Sequence, residues 1–321
     1  MLQELKFVQG GVARKSVVPA LTHYRIEGGH ILAFNGTLAL RAPIDLDLDV
    51  TPNAGMFYRA VEACEGTVTL HVTPRGKLSV ASENMRVYVD CSDEPFPSVE
   101  PEGERYELHG GLLPALQTIS RFVSDDASRP WSRGVLLAGG CAYATNNIVL
   151  VQRWIGQAFP QQVANIPLTA VDEMLRIKEE PMAVQIAPGS ATFHYTGDRW
   201  LRTQLLTLEW PNVVEILDNA DSGDVTELSP DVFDACRKLK PFTDRHGRIF
   251  VSPDALSTSQ EKDDGATLQA VDLPQSACGA YNVDQFLKLE GSATALDWSR
   301  YPAPCVFYGD DLRGVIIGTK V

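Results

Sequence analysis

The chain repeats part of its own sequence at a fixed spacing, and this repeat restricts the possible folds more than any other feature. Three pairs of features lie 111 residues apart: Pro19 with Pro130, Gly28–Gly29 with Gly139–Gly140, and Ala33–Gly36 with Ala144–Asn147. Agreement among separate pairs is typical of a fold built from repeated structural units. The glycine pairs sit between short β-type runs, so each copy is predicted to contain a β-hairpin.

Both copies continue in the same way beyond the hairpin. Apolar residues recur at helical spacing over Asn53–Cys64 and over Thr169–Lys178, and each helix is followed by short strand-like runs. The final third of the chain follows the plan with a helix at Ser229–Leu239, where Ser229 is the expected N-cap. The sequence therefore predicts an α+β fold of three similar helix-strand units, near residues 1–105, 106–222 and 223–321.

Composition limits the class of protein. The 321 residues are 44% hydrophobic, which supports packed globular units, and the formal net charge of −13 argues against a protein that simply coats nucleic acid. Local charge still decides phosphate binding, so an acidic protein can carry a basic lining. Six isolated cysteines, no apolar run long enough for a membrane span and no secretion signal lead us to expect a cytoplasmic protein.

Enzyme chemistry finds little support in the sequence. Two acidic pairs, Asp125–Asp126 and Asp310–Asp311, could serve metal or acid–base chemistry, but both fall in predicted turns, where aspartates usually cap or are solvated. The six histidines form no zinc motif, and no phosphate-binding glycine loop is present. The five tryptophans lie too far apart in sequence to predict a stacking platform. We expect no catalytic residue, no metal and no cofactor.

Several short motifs, in order, resemble one known family. They are Ser124–Pro130, Gly134–Leu137, Ala144–Asn146, Ile166–Pro167, Leu205–Leu206 before Trp210–Pro211, Tyr281–Val283 and the C-terminal Gly314–Val321. Together they resemble the bacterial DNA polymerase III β sliding clamps over essentially the whole chain, most strongly from 112 to 217. Thr145–Asn146–Asn147 replaces the Thr–Asp–Gly turn of that family, and Ile317–Gly318–Thr319 replaces its Met–Pro–Met-type ending. These departures fit a diverged clamp of bacterial or phage origin.

The resemblance implies a DNA-clamp fold and a function without bond chemistry. In that family two three-domain chains close a ring around duplex DNA, with helices lining the hole and strands forming the outer surface. The implied partners are double-stranded DNA bound without sequence preference, a DNA polymerase, a clamp loader and a second copy of the chain. The edge strand near Arg86 and Tyr88 would meet the region near Leu239 of the other copy.

The lining helices are expected to carry scattered cations that contact phosphates. The candidates are Lys6, Arg14, Lys15, Arg59, Arg121, Arg176, Lys178, Arg237, Lys238 and Lys240. Each could instead be an ordinary solvated surface residue, a reading that acidic neighbours such as Asp172 and Glu173 favour. Sparse contacts would suit sliding, because tight phosphate binding would hold the ring in place.

By resemblance, a second site would bind short peptides of partner proteins in a hydrophobic pocket. The matching residues are Thr145, Asn147, Ile148, Val149, Leu150, Pro211, Glu215, Ile216, Asn282, Val315, Ile316, Ile317, Gly318 and Thr319. The alternative is that they are plain strand-core residues, since alternation turns half of each strand inward. Glu215 stands where the family has a basic residue, so the pocket is expected to disfavour acidic peptides.

Two rival functions remain open on the sequence alone. A clamp-fold interaction protein could bind a replication factor without encircling DNA, and loss of lining cations would favour it. A carboxylate-dependent enzyme would require clustered, buried acids, which the predicted turn positions of the aspartates do not suggest.

Overall fold

The computed structural model of the chain describes residues 1–158, 163–220, 225–261 and 263–320. Val321, the last residue of the C-terminal motif, and the predicted unit boundary at residue 222 lie outside these ranges. The described residues form seven α-helices: α1 (Leu2–Val8), α2 (Ala54–Ala63), α3 (Leu112–Ile119), α4 (Leu168–Ile177), α5 (Val213–Ala220), α6 (Pro230–Leu239) and α7 (Val283–Leu287).

Short strands make up most of the remaining regular structure. Those before residue 206 are β1 (Arg25–Glu27), β2 (His30–Phe34), β3 (Leu38–Pro43), β4 (Thr69–Val72), β5 (Leu78–Ala81), β6 (Arg86–Val89), β7 (Glu104–Glu107), β8 (Gly134–Ala138), β9 (Cys141–Thr145), β10 (Val149–Trp154), β11 (Ala164–Pro167), β12 (Ala183–Ala187), β13 (Ser190–Tyr195) and β14 (Arg199–Gln204). The others are β15 (Thr226–Glu227), β16 (Arg248–Ser252), β17 (Ala255–Ser257), β18 (Thr267–Gln269), β19 (Gly279–Asn282), β20 (Ala295–Leu296), β21 (Cys305–Gly309) and β22 (Leu312–Ile316).

The chain forms two compact units. Unit 1 comprises residues 1–113 and 169–206, and unit 2 comprises residues 114–168 and 207–321. Unit 1 contains a seven-stranded sheet of order β1-β2-β3-β14-β13-β12-β7 and a three-stranded sheet, β4-β5-β6. Unit 2 contains an eight-stranded sheet, β11-β8-β9-β10-β22-β21-β20-β15, and a four-stranded sheet, β18-β17-β16-β19. The division into three sequence units stays a prediction, since these compact units follow strand pairing rather than the sequence repeat.

The sequence repeat appears as equivalent strand pairing in the two units. In unit 1, β2 pairs with β1 and β3, and β3 then pairs with β14. In unit 2, β9 pairs with β8 and β10, and β10 then pairs with β22. All of these pairs are antiparallel. Both units therefore contain the same hairpin with the same strand pairing. The residues that repeat in the sequence are those of the turns.

The repeated glycine pairs occupy the hairpin turns. Gly28 and Gly29 have φ of 56° and 72°, and Gly139 and Gly140 have φ of 58° and 82°. Two consecutive positive φ values define the turn that matches the twist of a two-residue hairpin, and glycine adopts them without strain. At Gly140 a Cβ would also lie 2.4 Å from the ring of Trp154, so two constraints select glycine there.

Side-chain caps set two helix starts, and the cap at Ser229 is one that the sequence predicts. The side chain of Asn53 accepts a hydrogen bond from the backbone N–H of Met56 (3.0 Å) at the start of α2. Ser229 caps α6, with Pro230 at the first helical position, where a missing N–H costs nothing. The predicted helices over 53–64 and 229–239 thus agree with α2 and α6 to within one residue at each end.

Aromatic side chains dominate one core of unit 2. Tyr281, Phe286 and Trp298 are fully buried, and Phe286 stacks on Trp298 with ring centroids 5.8 Å apart. Phe233 of α6 packs on Phe286 at 5.8 Å. Such rings bury large apolar areas and gain further from offset or edge-on contact. This cluster joins α6, α7 and the four-stranded sheet.

Candidate functional site

An apolar groove opens on the eight-stranded sheet of unit 2. It lies where β10 begins and β22 ends, beside the start of α5, and its volume is about 260 Å³. The register brings these strand ends together, because Val149 of β10 pairs with Ile316 of β22 and the backbone N–H of Ile317 donates to the carbonyl of Ile148 (2.9 Å). Two segments far apart in sequence therefore form one surface.

Most residues predicted for a peptide pocket meet in this groove. It is lined by nine of them, Thr145, Asn147, Ile148, Val149, Leu150, Pro211, Ile216, Val315 and Ile317, and by four that the sequence did not predict, Arg129, Trp131, Val213 and Pro304. Ile148 is 36% exposed and Ile317 is 44% exposed, whereas Val149 and Val315 are buried. The rim is therefore apolar and accessible, on a floor that belongs to the sheet core.

A side-chain network fixes the β-turn at the groove. The Oδ1 atom of Asn146 accepts from the N–H groups of Ile148 (3.1 Å) and Val149 (2.9 Å), and its Nδ2 donates to Gln285 Oε1 (2.6 Å). Asn147 follows with φ of 71°, a conformation that asparagine tolerates better than most residues. This explains how Thr145–Asn146–Asn147 builds a turn that the family makes with Thr–Asp–Gly.

The equivalent turn of unit 1 is held in the same way. Asn35, 111 residues earlier, accepts from the N–H groups of Thr37 (3.1 Å) and Leu38 (2.9 Å), and Gly36 has the positive φ. We expect Asn146→Ala and Asn35→Ala each to lower the free energy of unfolding by about 1–2 kcal/mol, because two N–H groups of each turn, one of them part-buried, lose their acceptor. Only Asn146→Ala should also weaken peptide binding. Thermal unfolding and peptide titration of both variants test this, and equal peptide affinities would contradict it.

Five predicted pocket residues have other roles. Ile316 is fully buried between β10 and β21, and Asn282 caps α7 while its Nδ2 donates to the carbonyl of His246 (2.8 Å). Gly318 and Thr319 anchor the tail: the N–H of Thr319 donates to Ala280 (2.7 Å), and its carbonyl accepts from the Tyr301 hydroxyl (2.9 Å). The prediction that they line the pocket is corrected accordingly.

The charge expected at the pocket is also corrected. Glu215, the fifth of these residues, does not line the groove; it is exposed on α5 and accepts from Asn212 Nδ2 (2.9 Å). The charged lining residue is instead Arg129. Glu215 therefore contributes no charge to the groove lining, whereas Arg129 contributes a positive one.

Two tryptophans meet at the groove, where Trp131 belongs to the lining and Trp210 does not. Trp131 and Trp210 meet edge to face, with ring centroids 5.1 Å apart, and Trp210 packs against the core that contains Leu150, Val213 and Val315. The sequence distance between them hid this contact. Trp200 and Trp298 are buried core residues.

Four of the ten predicted DNA-facing cations already have partners. Arg176 pairs with Glu173, Arg237 with Asp234 and Glu290, and Lys240 with Asp284. Arg121 donates to the Glu290 carbonyl (3.0 Å) and to Ser292 Oγ (2.9 Å). These contacts fit the alternative reading, in which the cations stabilise their own units.

The other six cations are exposed and have no carboxylate partner among the described residues: Lys6, Arg14, Lys15, Arg59, Lys178 and Lys238. Five of the six belong to unit 1. Lys178 ends α4 with φ of 58°, which turns the chain out of the helix. Among the ten candidates, the cations without a carboxylate partner therefore lie mostly in unit 1.

The predicted self-association residues differ in exposure. Arg86 and Tyr88 lie on β6, which pairs on one side only within the described strands, and Tyr88 is 50% exposed. Leu239 is only 2% exposed, because it faces the core beneath α6. Phe242, three residues later, is 64% exposed, so the region near Leu239 presents Phe242 rather than Leu239 at its surface.

In the first acidic pair, Asp126 is held in a local turn. Asp126 accepts from the N–H and hydroxyl of Ser128 (both 2.8 Å), and the backbone hydrogen bond is the main cause that keeps its pKa below the ordinary value. Across the described residues, no three histidine, cysteine, aspartate or glutamate side chains cluster as metal ligands would. None of the helices described above has the length and apolarity to cross a membrane.

Comparison with solved structures identifies the fold. The DNA polymerase sliding clamp of Pseudomonas aeruginosa superposes with a TM-score of 0.83 at 17% identity, covering 100% of this chain and 97% of that one. The clamps of Bacillus subtilis (0.82, 14%) and of Bartonella birtlesii bound to griselimycin (0.82, 17%) match over the same fractions. No protein-family model and no curated protein sequence matches the chain. The chain therefore has the fold of the bacterial DNA polymerase III β sliding clamps, which confirms the resemblance inferred from its motifs.

Proposed function

We propose that this protein is a DNA sliding clamp, a replication processivity factor without catalytic activity. The observation that carries the proposal is the match of the whole chain, end to end, to sliding clamps of three bacteria. The function of a clamp depends on closing a ring of defined size, so preservation of the entire fold is expected of a clamp. A binding module derived from one could lose part of it.

The ring is proposed to consist of two copies that surround duplex DNA in the bacterial cytoplasm. Exposed cations without internal partners, such as Arg14 and Arg59, would contact the phosphate backbone without reading bases. The interaction-protein alternative predicts that such cations are lost, and five remain in unit 1 alone.

The groove of unit 2 is proposed to tether partner proteins, including a DNA polymerase and a clamp loader. Ile148 and Ile317 would receive apolar anchors of a short peptide, and Arg129 would pair with a carboxylate beside them. Because the groove contains no catalytic constellation, it would act only by binding.

Topological retention on DNA tests the proposal directly. Light scattering should give twice the mass of one 35.1 kDa chain, and protein loaded on nicked circular plasmid should remain bound through gel filtration. Linearising the plasmid should release it, because a ring slides off a free end. A monomer, or equal retention on circular and linear DNA, would refute the clamp function and favour the interaction protein.

A further inference from the structure

A second, wider groove lies in unit 1, with a volume of about 700 Å³. It is formed by the segment after α1, by the first turns of α2 and by the C-terminal half of α4. Three guanidinium groups line it, those of Arg14, Arg59 and Arg176. Guanidinium forks match the oxygens of a phosphodiester, and the groove is broad enough to admit a sugar-phosphate backbone.

Only one of these three guanidiniums is neutralised from within. Arg176 donates from Nε to Glu173 Oε2 (2.8 Å) and from Nη2 to the carbonyl of Phe7 (2.9 Å). Arg59 donates from Nε to the Gly55 carbonyl (3.1 Å), which orients it without offsetting its charge. Arg14 has no carboxylate partner in the described part of the chain.

Glu173 is held in an unusual position for a carboxylate. It is only 8% exposed and lies against Gly10, where a Cβ would come within 2.1 Å of its carboxyl group. The glycine therefore makes room for a buried acid beside a groove of arginines. Burying a carboxylate is costly, and the pair with Arg176 offsets that cost. A neutral residue would fill this space without the desolvation cost of a buried carboxylate, so stability alone does not account for Glu173.

We propose that this groove is the main phosphodiester-binding site for the encircled duplex, and that Glu173 limits its strength. The inference rests on the proposed clamp function and narrows its DNA contact from ten scattered cations to one place. Arg14 and Arg59 bind phosphates, whereas Glu173 pairs with Arg176 and keeps it from binding a further phosphate. The ring thus holds the duplex loosely enough to slide, since each added phosphate contact would strengthen binding.

Salt-dependent binding to a short linear duplex tests the groove separately from the ring. The slope of log K against log salt concentration changes by about 0.9 for each phosphate contact. Arg14→Ala with Arg59→Ala should make the slope shallower by about 1.8. Glu173→Gln should free Arg176 and make the slope steeper by about 0.9. Fluorescence anisotropy of the labelled duplex measures both effects.

Two matched controls separate a specific site from net charge. Asp172→Asn makes the same charge change one residue away, at an exposed carboxylate outside the groove lining, and Arg245→Ala removes an exposed cation of unit 2. Both should leave the slope unchanged. Equal effects of Glu173→Gln and Asp172→Asn, or an unchanged slope in the double arginine variant, would overturn the proposal. Failure of the wild type to stay on circular DNA would refute the clamp function instead.

Discussion

Replacing Ile148 and Ile317 together by aspartate is expected to abolish peptide binding to the groove of unit 2 and to leave the chain folded. Both side chains are already more than a third exposed, so the free energy of unfolding should change by only about 0.5 kcal/mol per site. A bound apolar peptide would bury the new carboxylates without partners, at a cost of about 1–3 kcal/mol each. The dissociation constant should rise by about 100-fold or more, since 1.4 kcal/mol corresponds to tenfold.

The measurement is anisotropy of a fluorescent peptide that carries two leucines, one phenylalanine and one aspartate. Val214→Asp is the matched control, because Val214 is an exposed valine of α5 outside the groove lining. Arg129→Ala should weaken the aspartate peptide but not its asparagine counterpart. If the double aspartate variant still binds as the wild type does, the groove is not the tethering site.

Local features of the sequence predicted the secondary structure well. The predicted cap Ser229 accepts a hydrogen bond from a helix N–H group, and the helix predicted over Asn53–Cys64 is observed as α2. Each of these signals acts within a few residues, so it can be predicted from the local sequence. The turn repeat at 111 residues likewise reports positive φ values that only a few residue types accept.

The sequence pattern predicts neither α1 nor α5, and the end of the C-terminal motif depends on contacts that are distant in sequence. β22 ends at Ile316, and Gly318 and Thr319 lie outside the sheet. At Gly318 a Cβ would lie 2.5 Å from the ring of Tyr301, so this glycine reflects a tertiary contact. Packing against a distant tyrosine leaves no signal in the neighbouring residues.

The sequence also does not predict which cations pair with a carboxylate. Arg237 pairs with Glu290, 53 positions away, and Lys240 pairs with Asp284, 44 positions away. By contrast Glu173 and Arg176 are three residues apart on one helix, a spacing at which a pair can be foreseen. The sequence is enough to find candidate cations. Which of them are unpaired and available to DNA depends on where the carboxylates lie in three dimensions.

Low sequence identity and a complete fold are compatible for a clamp. The function constrains strand pairing, helix placement and two binding surfaces, and few of these require a particular side chain. Apolar core positions exchange freely when volume and pattern are kept. Turn positions exchange less freely, which is why the motifs that revealed the fold include Thr145–Asn146 and the glycine pairs.

Introducing glutamate at Tyr88 and Phe242 is expected to separate the proposed ring into single chains and to end retention on circular DNA. Both aromatic side chains are at least half exposed on their own unit, so neither substitution opens a cavity. Aromatic anchors at interfaces contribute about 2–4 kcal/mol each, and unpaired carboxylates in their place add a desolvation cost. The dimer dissociation constant should therefore rise by about 1,000-fold, measured as mass by light scattering across protein concentration.

Val72→Glu provides the control on the same sheet. Val72 is exposed on β4, the opposite edge from β6, so its substitution introduces the same charge into a comparable strand. The Val72→Glu protein should remain a dimer. Anisotropy with the leucine-containing peptide should show that the groove affinity is unchanged in Tyr88→Glu, Phe242→Glu and Val72→Glu. If Val72→Glu dissociates the dimer and Tyr88→Glu does not, the chains associate through β4. If both remain dimeric, the ring is closed by another surface. A variant that still binds the peptide but is no longer retained on circular DNA would show that only the ring is lost. The groove can bind a peptide in a single chain, whereas retention requires the closed ring.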